Sequence, residues 1–289
     1  MSLTKRPETW LLTLVLAVTA ALPVMAESIL DRVKQRGVVR IGTGNDTPPM
    51  NYIDDNGQWV GFDIDLGDAL AKRLGVKVKR VVVNNKTRIT LLANGRIDMT
   101  ISNLSQTRAR ERMVDYAEPP YLWTAKIFYA RKGRFRKIED LSGKVIGVNQ
   151  GSNAYTAAPD EIGRRGGKVG RIVSFQRNAE GITALRQGKI DAFCQDSPII
   201  AALAADIADE FEAVGTGFSP GLYGVGVPPN DSRWRDAVSF ALQDLIQDGE
   251  YDRIYNKWFG PHGKFPMALD ARPRLPPDAF GEMYYLWPR

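Results

Sequence analysis

The sequence predicts an α/β fold of two lobes, each a mostly parallel sheet flanked by helices, because one α/β passage occurs twice. The first copy is Ile-Thr-Leu-Leu-Ala-Asn-Gly-Arg-Ile-Asp over residues 89–98, and the second is Ile-Thr-Ala-Leu-Arg-Gln-Gly-Lys-Ile-Asp over residues 182–191. Each copy is typical of a helix that ends at a glycine and precedes a short apolar strand. Asn103 and Asp196 follow the two strands at matching positions. Unless the match is a chance one, it predicts a ligand cleft between the strand ends of two lobes.

Length and composition fit a soluble globular protein. The chain has 289 residues, of which 44% are hydrophobic and 25% charged, enough for two lobes with cores of their own. Its formal charge of +6 is spread along the chain without long basic runs, so we expect no nucleic-acid partner. Cys194 and His262 are the only cysteine and the only histidine. We therefore expect no intrachain disulfide, no histidine-dependent catalytic arrangement, and neither a metal nor a cofactor.

The first 26 residues have the features of a signal peptide. An apolar run over residues 10–26 follows Lys5 and Arg6 and closes on Val-Met-Ala, which predicts cleavage before Glu27. A membrane-anchoring helix is the alternative, whereas a lipoprotein would need a cysteine after the run. Loss of Lys5, Arg6 and Glu8 would lower the formal charge from +6 to +5.

The first lobe is predicted to take residues 27–123. A helix that begins near Gly61 carries leucines at helical spacing on one face. Asp63, Asp65 and Asp68 lie in its first two turns, where carboxylates complement the helix dipole; we interpret them as capping and solvated residues, with a metal cluster as the alternative. In chain order, the predicted elements are a helix over 29–36, a strand over 38–42, a polar loop over 43–49, the helix after Gly61 and a strand over 76–83.

The second lobe is predicted to take residues 124–222 and to repeat the scheme. Residues 223–289 then return to the first lobe. We expect the tail after Gly260, which is rich in proline and aromatic residues, to pack along the surface in extended form. The elements predicted here are strands over 145–148 and 169–175, a polar loop over 149–153, a return strand over 220–229 and a helix over 234–245.

Six segments, in order and at matching spacing, carry a family resemblance. They are residues 61–66, 88–98, 105–116, 147–152, 188–196 and 248–260. Through them the chain resembles the bacterial extracellular solute-binding proteins of family 3, the periplasmic amino-acid-binding components of ABC transporters. The resemblance implies a type II periplasmic binding protein with a two-strand hinge. It also implies a monomer in the periplasm that captures an L-amino acid without catalysis and delivers it to a permease in the inner membrane.

The resemblance also implies an amino-acid clamp. Arg110 corresponds to the arginine that binds the ligand's α-carboxylate as a bidentate fork, and Ser105 to a nearby hydroxyl. Backbone N–H groups near Gly151 and Ser152 would add donors at a helix start. Asp196 corresponds to the aspartate that binds the α-ammonium. The alternatives are that Arg110 is a solvated charge and that Asp196 caps the helix after it.

Five positions near this clamp differ from the family's usual residues or lie where the ligand side chain would sit. Thr47 stands where relatives often place a stacking aromatic residue, and Asn103 where they place glycine or serine. Asn149 stands where relatives carry a longer or charged residue. Lys86 and Arg88 lie near the wall that some relatives use for the ligand side chain, although Arg88 also starts a predicted helix. These positions favour a polar or acidic ligand.

An enzyme on the same fold is the rival interpretation. It would resemble the periplasmic cyclohexadienyl or arogenate dehydratases, which need a general acid in the cleft. We find no unpaired glutamate or histidine at a predicted cleft loop. A sensor domain would require a kinase or transmembrane partner on the same chain. The sequence therefore favours ligand capture over catalysis.

Overall fold

The computed structural model describes residues 27–267 and 270–273. The predicted signal peptide and most of the predicted extended tail lie outside these residues. None of the described helices has the length and apolarity needed to span a bilayer.

The chain alternates helices and strands and crosses between its two halves twice. The first part comprises α1 (Ile29–Arg36), β1 (Val38–Thr43), β2 (Asp46–Thr47), β3 (Asn51–Ile53), β4 (Trp59–Val60), α2 (Phe62–Arg73), β5 (Lys77–Val82), α3 (Arg88–Ala93), β6 (Met99–Thr100) and α4 (Arg108–Glu111). The second part comprises β7 (Asp115–Arg131), a 3₁₀ turn (Ile138–Leu141), β8 (Val145–Asn149), α5 (Ala154–Arg164), β9 (Arg171–Phe175), α6 (Asn178–Arg186), β10 (Ala192–Asp196) and α7 (Ser197–Ile207). The last part comprises β11 (Phe211–Val227), α8 (Ser232–Gln247) and α9 (Glu250–Trp258).

Eight strands form one mixed sheet in the order β5-β1-β6-β11-β7-β10-β8-β9. The α/β fold class is confirmed, and within each half the outer three strands run parallel as predicted. The central pair β7–β11 is antiparallel and extends through both halves, with three register shifts between Val214 and Val225, a feature that was not predicted from the sequence. The reason is topological, because two neighbouring strands that carry the chain out of the first half and back again must run in opposite directions. The return strand consequently begins at Phe211 and not at the predicted Pro220.

The two copies of the repeated passage adopt the same local structure. Each helix ends at a glycine with positive φ, 62° at Gly95 and 67° at Gly188, which is the left-handed conformation that glycine adopts without a steric cost. The aspartate that closes each copy then bonds reciprocally to the neighbouring strand. Asp98 accepts from the Arg40 backbone N–H at 2.7 Å, and Asp191 accepts from the Val145 backbone N–H at 2.8 Å. The repeat is therefore a structural unit that fixes each strand beside its neighbour.

Buried side chains fall into separate clusters on the two sides of the central strands. The largest cluster draws on residues 29–122 and 223–271, with Ile199 as its only member from between. Residues 128–218 supply two further clusters. At the crossing, Leu122 lies opposite Tyr223 in the β7–β11 register. The division into a first lobe of residues 27–123 and 223–289 and a second lobe of residues 124–222 stays a proposal, which this distribution supports.

Candidate functional site

A cavity of about 370 Å³ opens between the two lobes at the carboxyl ends of the parallel strands. Four predicted site residues line it: Thr47, Arg88 and Asn103 from the first lobe and Asn149 from the second. The exposed Lys86 is not among its lining residues. The predicted clamp residues also lie outside the lining; they are Ser105, Arg110, Gly151, Ser152 and Asp196.

Arg110 bridges the two lobes. It lies in α4, whose N-cap Thr107 accepts a hydrogen bond from the Arg110 backbone N–H at 3.3 Å. Its guanidinium donates to the Ser105 carbonyl at 2.8 Å and, across the cleft, to the Gly151 carbonyl at 3.2 Å. Burial lowers the pKa of Arg110, so this side chain is not a freely solvated charge. Ser105 is buried and holds Arg110 through its carbonyl; contact of its hydroxyl with a ligand remains a prediction.

Gly151 and Ser152 lie where the second lobe meets the first. Gly151 has a φ of +70°, and a Cβ at this position would come within 3.0 Å of the Asn85 backbone. Both donors of Ser152 already bond to the Asn149 carbonyl, the backbone N–H at 3.2 Å and the hydroxyl at 2.8 Å. In this structure the turn before α5 uses the Ser152 N–H, and ligand contact by backbone N–H groups near Gly151 and Ser152 stays a prediction. The Gly151 N–H donates to no group within residues 27–267 and 270–273.

Arg88 is a buried charge in the wall of the cavity. It begins α3, and only 2% of the residue is exposed. Nη1 donates to the Ser102 carbonyl, while Nε has no hydrogen-bond partner in the described part of the chain. Burial, assisted by the positive charge of Arg110, lowers the pKa of Arg88 to about 9. Among the described residues, neither Arg88 nor Arg110 forms an ion pair, although the charges of Asp63 and Asp196 act on them from a greater distance. Arg177, which also lines the cavity, pairs instead with Glu180.

Asp63 positions Asn103, which lines the cavity with a φ of +44°. One carboxylate oxygen of Asp63 accepts from the Asn103 backbone N–H at 2.7 Å and from Asn51 Nδ2 at 2.6 Å. Asp63 is 1% exposed, and burial raises its pKa to about 7. The interpretation of Asp63 as a solvated residue is therefore wrong. Asp65 and Asp68 instead form partly exposed contacts with side chains, and the described residues contain no group of His, Cys, Asp and Glu that could hold a metal ion.

Asp196 forms a buried ion pair that was not predicted from the sequence. It occupies the N-cap position of α7, but its side chain makes no capping hydrogen bond. Its carboxylate instead accepts from the ammonium of Lys126 on β7. The two side chains are 6% and 2% exposed. The nearby Tyr223 hydroxyl has its pKa raised by burial and by the carboxylate of Asp196.

Cys194 and His262 lie outside the lining of the cavity. Cys194 is a buried free cysteine whose pKa burial raises to about 12, which disfavours the reactive thiolate. His262 is exposed in the turn after α9.

Two lobes, a central pair of crossing strands and a basic cleft at the strand ends define a type II periplasmic solute-binding fold. The sequence model of the bacterial extracellular solute-binding proteins, family 3, matches residues 39–261, and the chain belongs to this family. The recognition made from the sequence is thereby confirmed.

Similar proteins share the fold and differ in their ligands. The lysine/arginine/ornithine-binding periplasmic protein of Escherichia coli is 31% identical over 76% of this chain and 87% of its own length. The L-glutamate/L-aspartate-binding protein of Pseudomonas aeruginosa is 25% identical over 90% of this chain and 92% of its own. The crystal structure of an ancestral amino acid-binding protein, a precursor of cyclohexadienyl dehydratase, is 33% identical with a TM-score of 0.72 over 79% of this chain and 99% of its own.

Proposed function

We propose that this protein captures an L-amino acid with a polar or acidic side chain in the periplasm and delivers it to an ABC transporter permease in the inner membrane. Family membership supports solute capture and transport. The observation that carries the ligand class is the presence at one cleft of the buried Arg88 and the half-buried Arg110, which have no ion-pair partner among the described residues. A buried charge without a partner is costly, and a ligand carboxylate would offset that cost.

The two arginines suggest separate roles. Arg110 would bind the α-carboxylate, because a planar guanidinium presents paired donors that match carboxylate geometry. Arg88 would bind the ligand side chain, since it lines the cavity and its Nε has no partner in the described residues. Thr47, Asn103 and Asn149 add hydroxyl and amide groups around that side chain. This arrangement favours a second carboxylate or an amide on the ligand.

Closure of the lobes would couple binding to delivery. In this structure Arg110 reaches the Gly151 carbonyl, and Gly151 packs against Asn85, so the lobes touch across the cleft. A ligand that contacts both lobes stabilises the closed state over the open one by its difference in affinity for the two. The crossing strands near Leu122 and Tyr223 are the proposed hinge, which a permease would sense through the relative position of the lobes.

Mass spectrometry of any small molecule that copurifies with the folded protein is the first test. A thermal-shift panel of the common L-amino acids, with sugars and polyamines as controls, follows. A bound amino acid at about 1,000 times its dissociation constant adds about 4 kcal/mol to the free energy of unfolding, a shift of several degrees. If no amino acid shifts the melting temperature and a control does, the proposed ligand class is wrong.

A dehydratase remains the alternative because of the ancestral neighbour named above. The cavity lining contains no glutamate or histidine, and its one carboxylic acid is the exposed Asp46. Asp63, whose pKa is near neutral, lies outside that lining. An acid that a substrate cannot reach cannot protonate it. Turnover of prephenate or arogenate by the purified protein, without amino-acid binding, would replace the binding function with the enzymatic one.

A further inference from the structure

The ion pair between Lys126 and Asp196 is built into the sheet. β7 and β10 pair antiparallel, and Lys126 and Asp196 are directly opposite each other in their register. Directly opposed residues of an antiparallel pair project to the same face with their Cβ atoms about 5 Å apart. Both side chains are almost fully buried, so solvent does not compete for either charge. The lysine therefore occupies the carboxylate whenever these strands are paired.

The pair lies where the family resemblance places the ligand's α-ammonium. The charge of Asp196 is close enough to Arg110 to counteract part of the lowering of that arginine's pKa. An ammonium group is therefore already present beside the proposed carboxylate site. A ligand ammonium that approached Asp196 would meet the like charge of Lys126 and would have to share the carboxylate.

We propose that Lys126 is a specificity-determining residue: it takes the ammonium position on Asp196, so that the cleft binds dicarboxylates without requiring an α-amino group. This inference rests on the proposed function, because it assumes that Arg110 and Arg88 each bind one carboxylate of the ligand.

The balance of charge around the cleft supports this ligand class. Lys126 pairs with Asp196, and Arg177 in the cavity lining pairs with Glu180. The buried carboxylate of Asp63 bonds to Asn51 and Asn103 and forms no ion pair with Arg88, so Arg88 and Arg110 are the guanidinium groups left for the ligand. A dicarboxylate carries the two negative charges that these groups require. The carboxylate of Asp46 also lines the cavity, but it is exposed, and an exposed ion pair changes affinity by at most about fivefold.

Calorimetry of the wild-type protein with matched ligands is the direct test. L-Glutamate is compared with glutarate, and L-aspartate with succinate, since each pair differs only in the α-amino group. For the pair that binds more tightly, we expect the dissociation constants of the amino acid and of its matched dicarboxylate to agree within about tenfold. A directly bound, buried ammonium would instead favour the amino acid by about 30-fold or more, and a ratio above tenfold overturns the inference.

Variants assign the effect to Lys126. Lys126→Met frees Asp196 for a ligand ammonium, so the preference for L-glutamate over glutarate should rise by at least about 30-fold. The double variant Lys126→Met, Asp196→Asn removes both charges and should keep the wild-type ratio of the dissociation constants for glutarate and L-glutamate. If circular dichroism shows that Lys126→Met alone does not fold, the double variant takes its place in the comparison with wild type. Lys77→Met, at an exposed lysine at the start of β5 and outside the cavity lining, is the matched control. An unchanged ratio in folded Lys126→Met overturns the assignment.

The outcomes separate this inference from the proposed function. Binding of L-glutamate with rejection of glutarate refutes the inference and leaves amino-acid capture intact. Binding of other amino acids with no dicarboxylate bound refutes the inference and the acidic preference together, again leaving capture intact. Binding of glutarate with no amino acid bound refutes amino-acid capture and supports the inference.

Discussion

Replacement of Arg88 by methionine should stabilise the ligand-free protein and abolish binding of acidic ligands. Burial lowers the pKa of Arg88 from 12.5 to about 9. A difference of about 3.5 pH units, at about 1.36 kcal/mol each, corresponds to about 5 kcal/mol of unfavourable free energy for the buried charge. This cost is fully present at pH 7, below the folded pKa, where the guanidinium is charged in both the folded and the unfolded chain.

The substitution also removes one favourable contact. Nη1 of Arg88 donates to the Ser102 carbonyl, and loss of that donor leaves a buried acceptor at a cost of about 1–3 kcal/mol. The gain of about 5 kcal/mol from removal of the buried charge, less this cost, predicts that Arg88→Met raises the free energy of unfolding by about 2–4 kcal/mol. Methionine keeps the length of the side chain and fills irregular apolar space, which limits any loss of packing.

Urea unfolding at pH 7, followed by circular dichroism, measures the change in the free energy of unfolding. The protein is first freed of ligand by unfolding and refolding. Calorimetry measures the change in affinity. L-Glutamate should bind Arg88→Met at least about 30-fold more weakly than wild type, while the affinity for L-glutamine, which has a similar size and no side-chain charge, should change by less than about fivefold. Lys77→Met, at an exposed lysine outside the cavity lining, is the control for a removed positive charge. If Arg88→Met lowers the free energy of unfolding, the arginine is a structural residue and the reasoning fails.

Three further predictions concern the rest of the site. Arg110→Ala should weaken every amino-acid ligand by about 30-fold or more in calorimetry, and a change within about threefold would place the α-carboxylate elsewhere. Because burial raises the folded pKa of Asp63 to about 7, its contribution to stability is present below about pH 4 and lost as the pH rises through 7. Between pH 4 and 8, the free energy of unfolding of the wild type, measured in urea, should fall by up to about 4 kcal/mol relative to that of Asp63→Asn. If the two free energies change with pH in parallel, this prediction is wrong. Gly151→Ala should weaken binding by more than about tenfold, because its Cβ would press on the Asn85 backbone across the cleft. Gly133→Ala, with similar φ and open space, should leave affinity unchanged, so equal effects of the two variants would argue against closure at Gly151.

The sequence predicted the elements well because their signals are local. The first helix matches its predicted bounds of 29–36: Ser28 caps it at one end and Gly37 adopts the left-handed conformation at the other. The repeated passage predicted two equivalent units for the same reason. Its glycines end helices within the copy, and its aspartates bond to the next strand in the sheet.

Features that depend on distant residues were predicted less well. The pairing of β7 with β11 joins segments about a hundred residues apart, and no local pattern fixes their shared length. Asp63 looked like a solvated residue of a helix start because three aspartates lie close together there. Its burial depends on Asn103, which approaches it from another strand end, so only the folded chain shows that this carboxylate shapes the cavity wall.

Lys126 was also not predicted from the sequence, because its burial depends on the folded sheet. In β7 the alternate residues Leu122, Thr124, Lys126, Phe128 and Ala130 are all buried, as expected for one face of a strand with a period of two. A single lysine on an otherwise uncharged inward face requires a partner, since a buried charge without one is costly. Asp196 is the candidate that the repeated passage already placed at a strand end. The other face of this stretch carries Trp123, Ala125, Ile127 and Tyr129 and is at least as apolar in the sequence. The sequence alone therefore does not show which face is buried, and the pairing of Lys126 with Asp196 follows only from the folded chain.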